Sequence, residues 1–533
     1  MSVSICDSVH TLLGRSDGTL REMLDARARR DPDKTFIIFD GRSWSYADAL
    51  IEVRASAGRL TRLARMHDDS PPADRPVIAS YLPNRIETMW VFLGALYAGL
   101  PYCPLNRGHK GDLLRNWLGM CGARILITDQ GALDDGVSAS ATSDMVVVTI
   151  DHKVDQNRLA DSFFDIEPDN ELGPAPSPLS PATFMFTSGT TGRSKIIVVA
   201  QNQYCRGAGR IVDGYGLTEA DVFHNWLPLF HLAGQLHMTA TAILCGGTVA
   251  LQPTFSRSAF WNEVESTGAS VLCGFAAILH FIWSLPERPG DSRSTLRVGI
   301  FAGIPKDLHA PFEARFGMLL GENYGMTEAD PITLPGPTPW RHGTSGLPAP
   351  DFEVETRDEA GRKPPPGVHG EIYYRARVPG VRLLGRLTEK GLESIAYTDW
   401  LGTGDLGVLD AEGYLHFRGR KSAYIRRRGE NVSVAELEAL LIEAEGVAEC
   451  VVVGVPSNLG EDDIKAVLVA HSGCVPDAAA LHRWARARMA GFMVPRYYEY
   501  VSELPRTDLG KVALADLKTL SDSVWDAESQ PLS

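Results

Sequence analysis

The sequence predicts an α/β protein with a large N-terminal domain and a small C-terminal domain. Its 533 residues, 44% of them hydrophobic, are enough for a sizeable core and for several domain-sized units. Between residues 35 and 300, short β-rich runs alternate with helical patterns, which is typical of layered structure with parallel strands. From about residue 432 the order becomes helix, strand, strand, helix, which indicates a separate α+β unit.

The individual elements follow from short apolar runs and their spacing. Eight runs predict strands, at Phe36–Phe39, Val77–Tyr81, Ile125–Thr128, Met145–Ile150, Phe184–Phe186, Ile196–Val199, Val271–Cys273 and Val298–Phe301. Helical patterns lie among them at Arg85–Gly99 and Gly111–Cys121. The C-terminal unit predicts helices Ser433–Ala444 and Ala478–Met489 around strands Glu449–Val455 and Ile464–Ala470.

A change in the pattern of predicted secondary structure marks the domain boundary. From about residue 343 short strands and turns dominate, and six basic residues fall between Arg418 and Arg428. A solvated linker face is the alternative interpretation of such a charge run. We place the boundary near Arg420–Ser422, so the predicted domains are residues 1–419 and 420–533.

Composition narrows the function classes. A net charge of −14 argues against a nucleic-acid partner, because phosphate binding needs a cationic field. The eight cysteines are scattered without a CxxC pair, so neither zinc nor a disulfide framework is indicated. Neither a signal-like start nor a long apolar window is visible. We expect a cytoplasmic, reduced protein with a small-molecule partner and no membrane partner, and a homodimer is left open.

A phosphate-binding loop is predicted in FMFTSGTTGRSK. A β-like run ends at Phe186 and is followed by hydroxyls, glycines and a lysine, namely Thr187, Ser188, Gly189, Thr190, Thr191, Gly192 and Lys195. Glycine lets the backbone approach an anion, and exposed N–H groups, hydroxyls and an ammonium form a phosphate cradle. The spacing is not that of a Walker loop. From composition alone, a polar turn is the alternative.

A second glycine pattern is a decoy. GTGDLG (Gly402–Gly407) matches the dinucleotide fingerprint in letters, but that fingerprint needs a helix after it. Here a hairpin-like pattern follows, with Glu412–Gly413 at its turn. Asp405 is better explained as an acceptor for ribose hydroxyls.

Three further segments carry candidate side chains. In GENYGMTEAD, Tyr324 offers a flat face for a base, Thr327 a hydroxyl, and Glu328 an oxygen ligand for Mg²⁺. The alternatives are core packing for Tyr324 and a surface carboxylate for Glu328. His231 stands alone in an apolar run, where a core histidine is the common outcome, and Lys511 taken alone reads as a solvated lysine.

Five segments in this order resemble the AMP-forming adenylate ligase superfamily, which comprises acyl- and aryl-CoA synthetases, peptide-synthetase adenylation domains and luciferases. They are TSGTTGRSK, YGMTE, TGD, GR followed by RGEN, and LPRTDLGK, and the resemblance extends from about Thr19 to Lys511. FMFTSGTTG, ENYGMTE, RRGENVSVAELE and ELPRTDLGK look most like crotonobetaine/carnitine-CoA ligase-like acyl-CoA synthetases. The resemblance implies αβ layers plus a small β-barrel subdomain in the N-terminal domain, and a mobile C-terminal domain that pivots at Ser422.

The resemblance also implies the reaction. A carboxylate attacks the ATP α-phosphate, giving an acyl-adenylate and pyrophosphate, and an acceptor thiol then displaces AMP. ATP and Mg²⁺ are the implied cofactors, with CoA as co-substrate. Ser422–Ala423 at the hinge and Arg428 before Gly429 depart from the family pattern. They keep a second hypothesis open, in which the acceptor is a carrier protein, or in which nitrite is activated for diazotisation of an aryl amine. A regulatory protein without catalysis is a third, against which Lys195, Glu328 and Lys511 argue.

Residue roles follow from the resemblance position by position. The nucleotide would be bound by Thr187, Ser188, Gly189, Thr190, Thr191, Gly192 and Lys195 at the β- and γ-phosphates, by Gly303, Ile304, Pro305, Asn323, Tyr324, Gly325 and Met326 around the base, by Thr327 at the α-phosphate, and by Asp405 and Arg420 at the ribose. Glu328 would hold the magnesium ion. Lys511 would bridge the attacking carboxylate and the phosphate, and His231 would lie at the mouth of the acyl pocket. His231, Gln235 and Asp330 in the predicted pocket suggest a small or medium, partly polar acid.

Overall fold

The computed structural model describes residues 7–67, 76–108, 111–141, 145–151, 161–187, 195–388, 391–421, 424–427, 430–457, 462–471, 476–489, 491, 493–506 and 512–529. The chain divides into two compact units. The large unit comprises Met1–Thr403 and Gly407–Phe417, and the small unit comprises Gly404–Leu406 and Arg418–Ser533. The domain limits predicted from the sequence, 1–419 and 420–533, remain a prediction.

The first sheet of the large unit has nine strands within the described ranges. In spatial order they are β20 (Gly391–Ser394), β19 (Gly385–Thr388), β9 (Lys195–Ala200), β8 (Pro181–Thr187), β4 (Tyr102–Pro104), β3 (Val77–Tyr81), β5 (Ala123–Thr128), β6 (Val146–Thr149) and β7 (Asp161–Ser162). Strands β8 and β9 are antiparallel, and their register places Thr187 opposite Lys195. This pair holds both ends of the predicted phosphate loop, whose residues 188–194 lie outside the described residues.

The second sheet positions most of the candidate site. Counting described residues, its seven strands are, in order, β14 (Leu319–Glu322), β13 (Val298–Ala302), β12 (Val271–Phe275), β10 (Val222–Asn225), β11 (Thr248–Leu251), β1 (Thr35–Phe39) and β2 (Arg42–Ser45). Each neighbouring pair is parallel except β1 with β2. The carboxyl ends of β10, β12, β13 and β14 therefore share one edge, where open α/β sheets bind ligands.

Helices cover both sheets. Those of the large unit are α1 (Asp7–Leu13), α2 (Leu20–Arg30), α3 (Tyr46–His67), α4 (Ile86–Ala98), α5 (Gly111–Cys121), α6 (Gln130–Asp134), α7 (Gln201–Tyr215), α8 (Thr241–Cys245), α9 (Phe260–Thr267), α10 (Ala276–Trp283) and α11 (Lys306–Phe316). A π-helix, Gly234–Ala240, precedes α8. Short 3₁₀ helices lie at Val137–Ser140, Phe163–Asp165 and Asp291–Arg293. No helix in the described part of the chain is long and apolar enough to cross a lipid bilayer.

Local sequence explains where these helices begin and end. Helix α2 starts with a capping box, in which Thr19 and Glu22 satisfy each other's backbone N–H groups. Helix α4 is buried on all sides, as its apolar sequence requires, and it ends at Gly99 in the left-handed conformation (φ 68°). The strand–helix alternation and the α/β fold class predicted from the sequence are confirmed.

Residues 333–420 form the region where a small barrel was expected. It contains the pair β15 (Thr333–Leu334) and β16 (Leu347–Pro348), and a sheet in the order β17 (Phe352–Arg357), β18 (His369–Ala376), β21 (Leu401–Leu409) and β22 (Leu415–Arg420). GTGDLG lies within β21, and Gly413 N donates to Asp410 O at 3.1 Å in the turn before β22. The predicted hairpin is confirmed, and a strand in place of a helix excludes the dinucleotide fingerprint.

The small unit has its own core. Its elements are β23 (Tyr424–Arg427), β24 (Glu430–Ser433), α12 (Val434–Ile442), β25 (Val447–Pro456), β26 (Asp462–Ala470), α13 (Ala478–Arg486), β27 (Tyr497–Tyr500), α14 (Leu514–Leu517) and β28 (Trp525–Asp526). The predicted order of helix, strand, strand, helix is confirmed. Lys465 on β26 is buried, pairs with Glu499 at 2.6 Å, and donates to the carbonyls of Leu517 (2.9 Å) and Thr519 (2.7 Å). This lysine therefore ties the C-terminal segment to the sheet.

Candidate active site

Two neighbouring strands deliver the predicted adenine segments to the same edge. Residues 303–305 follow β13 and residues 323–328 follow β14, and the parallel register pairs Phe301 with Glu322. The carboxylate of Glu322 joins the two segments, since it accepts from Ile304 N at 3.1 Å and from the Ser345 hydroxyl at 2.7 Å. Burial raises the pKa of Glu322, against the opposing effect of these two bonds. The structure thus brings Gly303–Pro305 and Asn323–Glu328 together.

Tyr324 is held by backbone hydrogen bonds to Thr333, and its ring stacks on Phe417. Its N–H donates to Thr333 Oγ1 at 2.8 Å, and its carbonyl accepts from Thr333 N at 3.1 Å. The ring is 7% exposed and stacks on Phe417 at 5.9 Å between centroids, while Phe417 itself is 42% exposed. Next to it, Asn323 Oδ1 accepts from the Tyr215 hydroxyl at 3.1 Å. Tyr324 is thus packed in a hydrophobic cluster, as the alternative interpretation of the sequence has it, and the contact of Tyr324 and Asn323 with a base remains a prediction.

The short turn after Tyr324 carries the hydroxyl and the carboxylate. Met326 and Ala329 exchange backbone hydrogen bonds at 2.9 and 2.8 Å, which closes the turn around Thr327 and Glu328. Both side chains are half-buried. Glu328 offers a hard oxygen ligand directly beyond the segment predicted to bind the base, so its chemistry fits a magnesium ion.

Gly303 has the open backbone expected of a surface that lies against a planar ring. It adopts the left-handed conformation with φ 69°, and an added Cβ would meet nothing within 4 Å. A side chain here would be strained by the positive φ even though space is free around it.

His231 is exposed and is not the core histidine that its apolar surroundings favoured. It lies in the loop after β10, its N–H donates to Pro228 O at 2.9 Å, and its ring lies 4.5 Å from that of Phe230. The core interpretation is wrong for this residue, and its role at the mouth of the pocket remains a prediction.

Sequence reasoning missed two residues at the same edge, His237 and Cys273. His237, in the π-helix, places Nε2 2.8 Å from Asp330 Oδ2 and Nδ1 3.7 Å from Cys273 Sγ. Burial by itself lowers the pKa of His237, but the Asp330 carboxylate and Cys273 raise it to about 10. The imidazole is therefore charged at neutral pH. His237 gave no signal in sequence, because a histidine in an apolar run looks the same whether it is paired or not.

The remaining predicted site residues divide into two groups. In the small unit, Arg420 Nε lies 3.0 Å from Asp405 Oδ1, so the two predicted ribose contacts are paired, with Asp405 nearly buried. Lys195 is the half-buried first residue of β9. Ser188 to Gly192 and Lys511, with hinge residues 422–423 and residues 428–429, lie outside the described residues, as does the side chain of Thr187.

Comparison with known proteins agrees with this geometry. The AMP-binding enzyme family model matches residues 24–380, and the model of the AMP-binding enzyme C-terminal domain matches residues 436–511. An indoleacetate–CoA ligase of Aromatoleum aromaticum is 30% identical over 94% of this chain and 98% of its own length. A crotonobetaine/carnitine–CoA ligase of Citrobacter koseri is 29% identical over 94% of this chain and 98% of its own length.

The fold has solved counterparts. The o-succinylbenzoate CoA synthetase of Bacillus subtilis, in complex with its acyl-adenylate intermediate, superposes with a TM-score of 0.78 at 23% identity, covering 96% of this chain and 100% of that one. At this identity the likeness concerns the fold. Together with the two family models, it confirms the predicted resemblance. The chain therefore belongs to the AMP-binding enzyme family, and it is an adenylate-forming enzyme of the acyl- and aryl-CoA ligase type.

Proposed function

We propose that this protein joins a small carboxylic acid to CoA in two steps. The acid first displaces pyrophosphate from ATP to give an acyl-adenylate, and the CoA thiol then displaces AMP to give a thioester. The observation that carries this proposal is the meeting of residues 303–305 and 323–328 at one sheet edge, joined by Glu322. The CoA ligases among the relatives support the thiol as acceptor.

The nucleotide is assigned to the edge formed by β13 and β14. Tyr324 and the open backbone at Gly303 receive the base, and Asn323 contacts its edge. Thr327 contacts the α-phosphate, and Lys195 with the preceding loop contacts the outer phosphates. Asp405 and Arg420 are assigned to the ribose, because a buried carboxylate accepts two O–H bonds.

Magnesium is assigned to Glu328. The ion would neutralise charge on the phosphates during displacement. The protein's own contribution is to fix Glu328 in the closed turn between Met326 and Ala329, so that the carboxylate is already oriented when the nucleotide arrives.

Product analysis tests the reaction. The protein is incubated with ATP, Mg²⁺ and a panel of carboxylic acids, with and without CoA, and pyrophosphate, AMP and ADP are measured. We expect pyrophosphate release that depends on an acid, and AMP release that is accelerated by CoA. AMP release with nitrite and an aryl amine, indifferent to CoA, would favour the alternative acceptor. ADP as product would contradict adenylation.

Lys511 is the proposed electrostatic catalyst of the first step. Removing one preorganised donor typically lowers the rate about 10²–10³-fold. We therefore expect Lys511→Ala to slow acid-dependent pyrophosphate release about 10²–10³-fold while ATP binding is preserved. Lys518→Ala, which changes an exposed lysine of the same unit, is the matched control. An unchanged first step in Lys511→Ala would remove this role.

Location and assembly complete the proposal. ATP and CoA are both abundant in the cytoplasm, which favours that compartment. The homodimer left open by the sequence is tested by light scattering of the purified chain, where twice the mass of one chain supports it and the mass of one chain rejects it.

A further inference from the structure

Asp330 is held at two points beside the proposed reaction centre. It follows Glu328 by two residues, and its carbonyl accepts from Arg210 Nη2 at 2.8 Å. Its Oδ2 pairs with His237 Nε2 at 2.8 Å. Gly207 also lies close, since a Cβ there would be 3.1 Å from the Asp330 carbonyl. The contacts of Arg210 and Gly207 hold the backbone of Asp330, and the contact of His237 orients its carboxylate.

His237 has no hydrogen left to offer a ligand. With the ring charged, both nitrogens carry hydrogens, and Nε2 donates to Asp330 while Nδ1 faces Cys273 Sγ at 3.7 Å. The ring and Cys273 are both buried. The charged imidazole of His237 therefore orients the Asp330 carboxylate.

The second carboxylate oxygen of Asp330 is different. Among the described residues, the hydrogen-bond partner of this carboxylate is His237, which bonds to Oδ2, and Oδ1 has none. Oδ1 lies against Cα of Gly325, where an added Cβ would overlap with it. Gly325 is exposed and the Asp330 side chain is 14% exposed, so the carboxylate is partly open to solvent beside Gly325. A carboxylate in this state accepts hydrogen bonds and offers none.

We propose that Asp330 selects acids that carry a hydrogen-bond donor, an amine or a hydroxyl, and rejects acids with a second anionic group in its place. This inference rests on the proposed function, because it assigns the acid to the edge next to Thr327 and Glu328. A donor on the acid pairs with Oδ1, whereas a second carboxylate meets like charge at short range. A methyl group leaves the acceptor desolvated and unpaired, which is costly.

Matched sets of acids test the preference in the unmodified enzyme. One set is 4-aminobenzoate, 4-hydroxybenzoate, 4-methylbenzoate and terephthalate, with the 3-substituted series beside it. The other set is 4-aminobutyrate, 4-hydroxybutyrate, pentanoate and glutarate. Pyrophosphate release is measured for each. We expect the amino or hydroxy member to exceed its methyl partner about 10–100-fold in kcat/KM, in line with a hydrogen bond to a charged group. The dicarboxylate should be the poorest.

Asp330→Asn identifies the residue responsible. The amide is nearly isosteric and can still accept from His237, but it turns a donor toward Gly325. The preference for amino and hydroxy acids should disappear or invert, mainly through KM, while the methyl analogue changes less than about 3-fold. Glu263→Gln is the matched control, because Glu263 on α9 also pairs with a buried histidine, 3.3 Å from His224 of β10. The control should keep the preference.

The outcomes distinguish a failure of this inference from a failure of the proposed ligase function. Turnover without a donor preference, or a preference that survives in Asp330→Asn, overturns the inference and leaves the ligase function standing. An absence of acid-dependent pyrophosphate release with every acid overturns the ligase function, and the inference falls with it. A donor preference that Asp330→Asn abolishes and Glu263→Gln retains supports both.

Discussion

The two units each bury a charged cluster and use it for different purposes. In the large unit, Asp351 accepts from Arg206 Nε at 3.0 Å and Arg210 Nη1 at 2.7 Å, and all three side chains are almost fully buried. Burial raises the pKa of Asp351, but the two guanidinium groups outweigh it and lower the pKa below its usual value. In the small unit, Lys465 pairs with Glu499 and directs its other hydrogens to two backbone carbonyls.

The difference lies in what each cluster holds in place. Arg210 passes from Asp351 to the backbone carbonyl of Asp330, so the cluster of the large unit holds main chain of the candidate site. Lys465 holds main chain of the segment that follows Lys511. A buried ion pair is costly unless its donors and acceptors are satisfied, and both clusters recruit backbone carbonyls for this purpose, although Nε of Arg210 has no hydrogen-bond partner among the described residues.

The largest effect should come from Asp351→Ala, because it leaves two buried guanidinium groups without their carboxylate. We expect the unfolding free energy of the large unit to fall by about 3–5 kcal/mol, measured by chemical denaturation with tryptophan fluorescence. Asp358→Ala is the control, since Asp358 pairs with Arg362, which is 79% exposed, and such pairs contribute at most about 1 kcal/mol. Equal losses of unfolding free energy in the two variants would show that the buried cluster stabilises the unit no more than an exposed ion pair does.

A smaller loss is expected from Lys465→Met in the small unit. This change leaves one carboxylate, Glu499, which still accepts from Ser521 and from Ser523 at 3.4 Å. We expect a loss of about 2–3 kcal/mol, and partial recovery when Glu499→Leu is added, because the pair is then replaced by apolar groups. Hydrogen exchange of β26 and β27 reports on this unit. A double variant less stable than Lys465→Met would contradict this account.

The smallest effect is a pH dependence that is specific to the large unit. The pKa of His237 is raised to about 10 from an ordinary value near 6.5, so its contribution to stability is complete below about pH 6.5 and is lost as the pH rises through 10. Between pH 7 and 9 the large unit should lose about 2 kcal/mol. His237→Gln should flatten this slope in thermal or chemical unfolding at several pH values. A slope that is unchanged in the variant would show that His237 is not its origin.

Elements bounded by clear signals were predictable from the sequence. Strand Val77–Tyr81 and helix Gly111–Cys121 have the predicted bounds, because each is an apolar pattern that begins or ends at proline or glycine. Strand β8 is longer than predicted, since pairing with β9 extends it to Thr187 beyond its apolar run. Cross-strand hydrogen bonds decide such ends, and they are not visible in one segment alone.

The candidate site was predictable where its segments carry motifs. The stretch from Asn323 to Glu328 carries its own motif, whereas Cys273, His237 and Asp330 come together because separate segments end at one sheet edge. Glu322 was not singled out from the sequence, because its function as a bridge to Ile304 depends on the neighbouring parallel strand. The contrast between exposed His231 and buried His237 likewise depends on tertiary packing.

The two glycines that flank Asp330 bear on how this enzyme could be redesigned. At Gly325 an added methyl would overlap with the Asp330 carboxylate, and at Gly207 it would press on Leu236, 2.8 Å away, as well as on the Asp330 carbonyl. Substituting either glycine would force these neighbouring atoms to shift and so disturb Asp330. A combinatorial library aimed at new acids should instead randomise positions 330, 237 and 273 together and keep both glycines fixed.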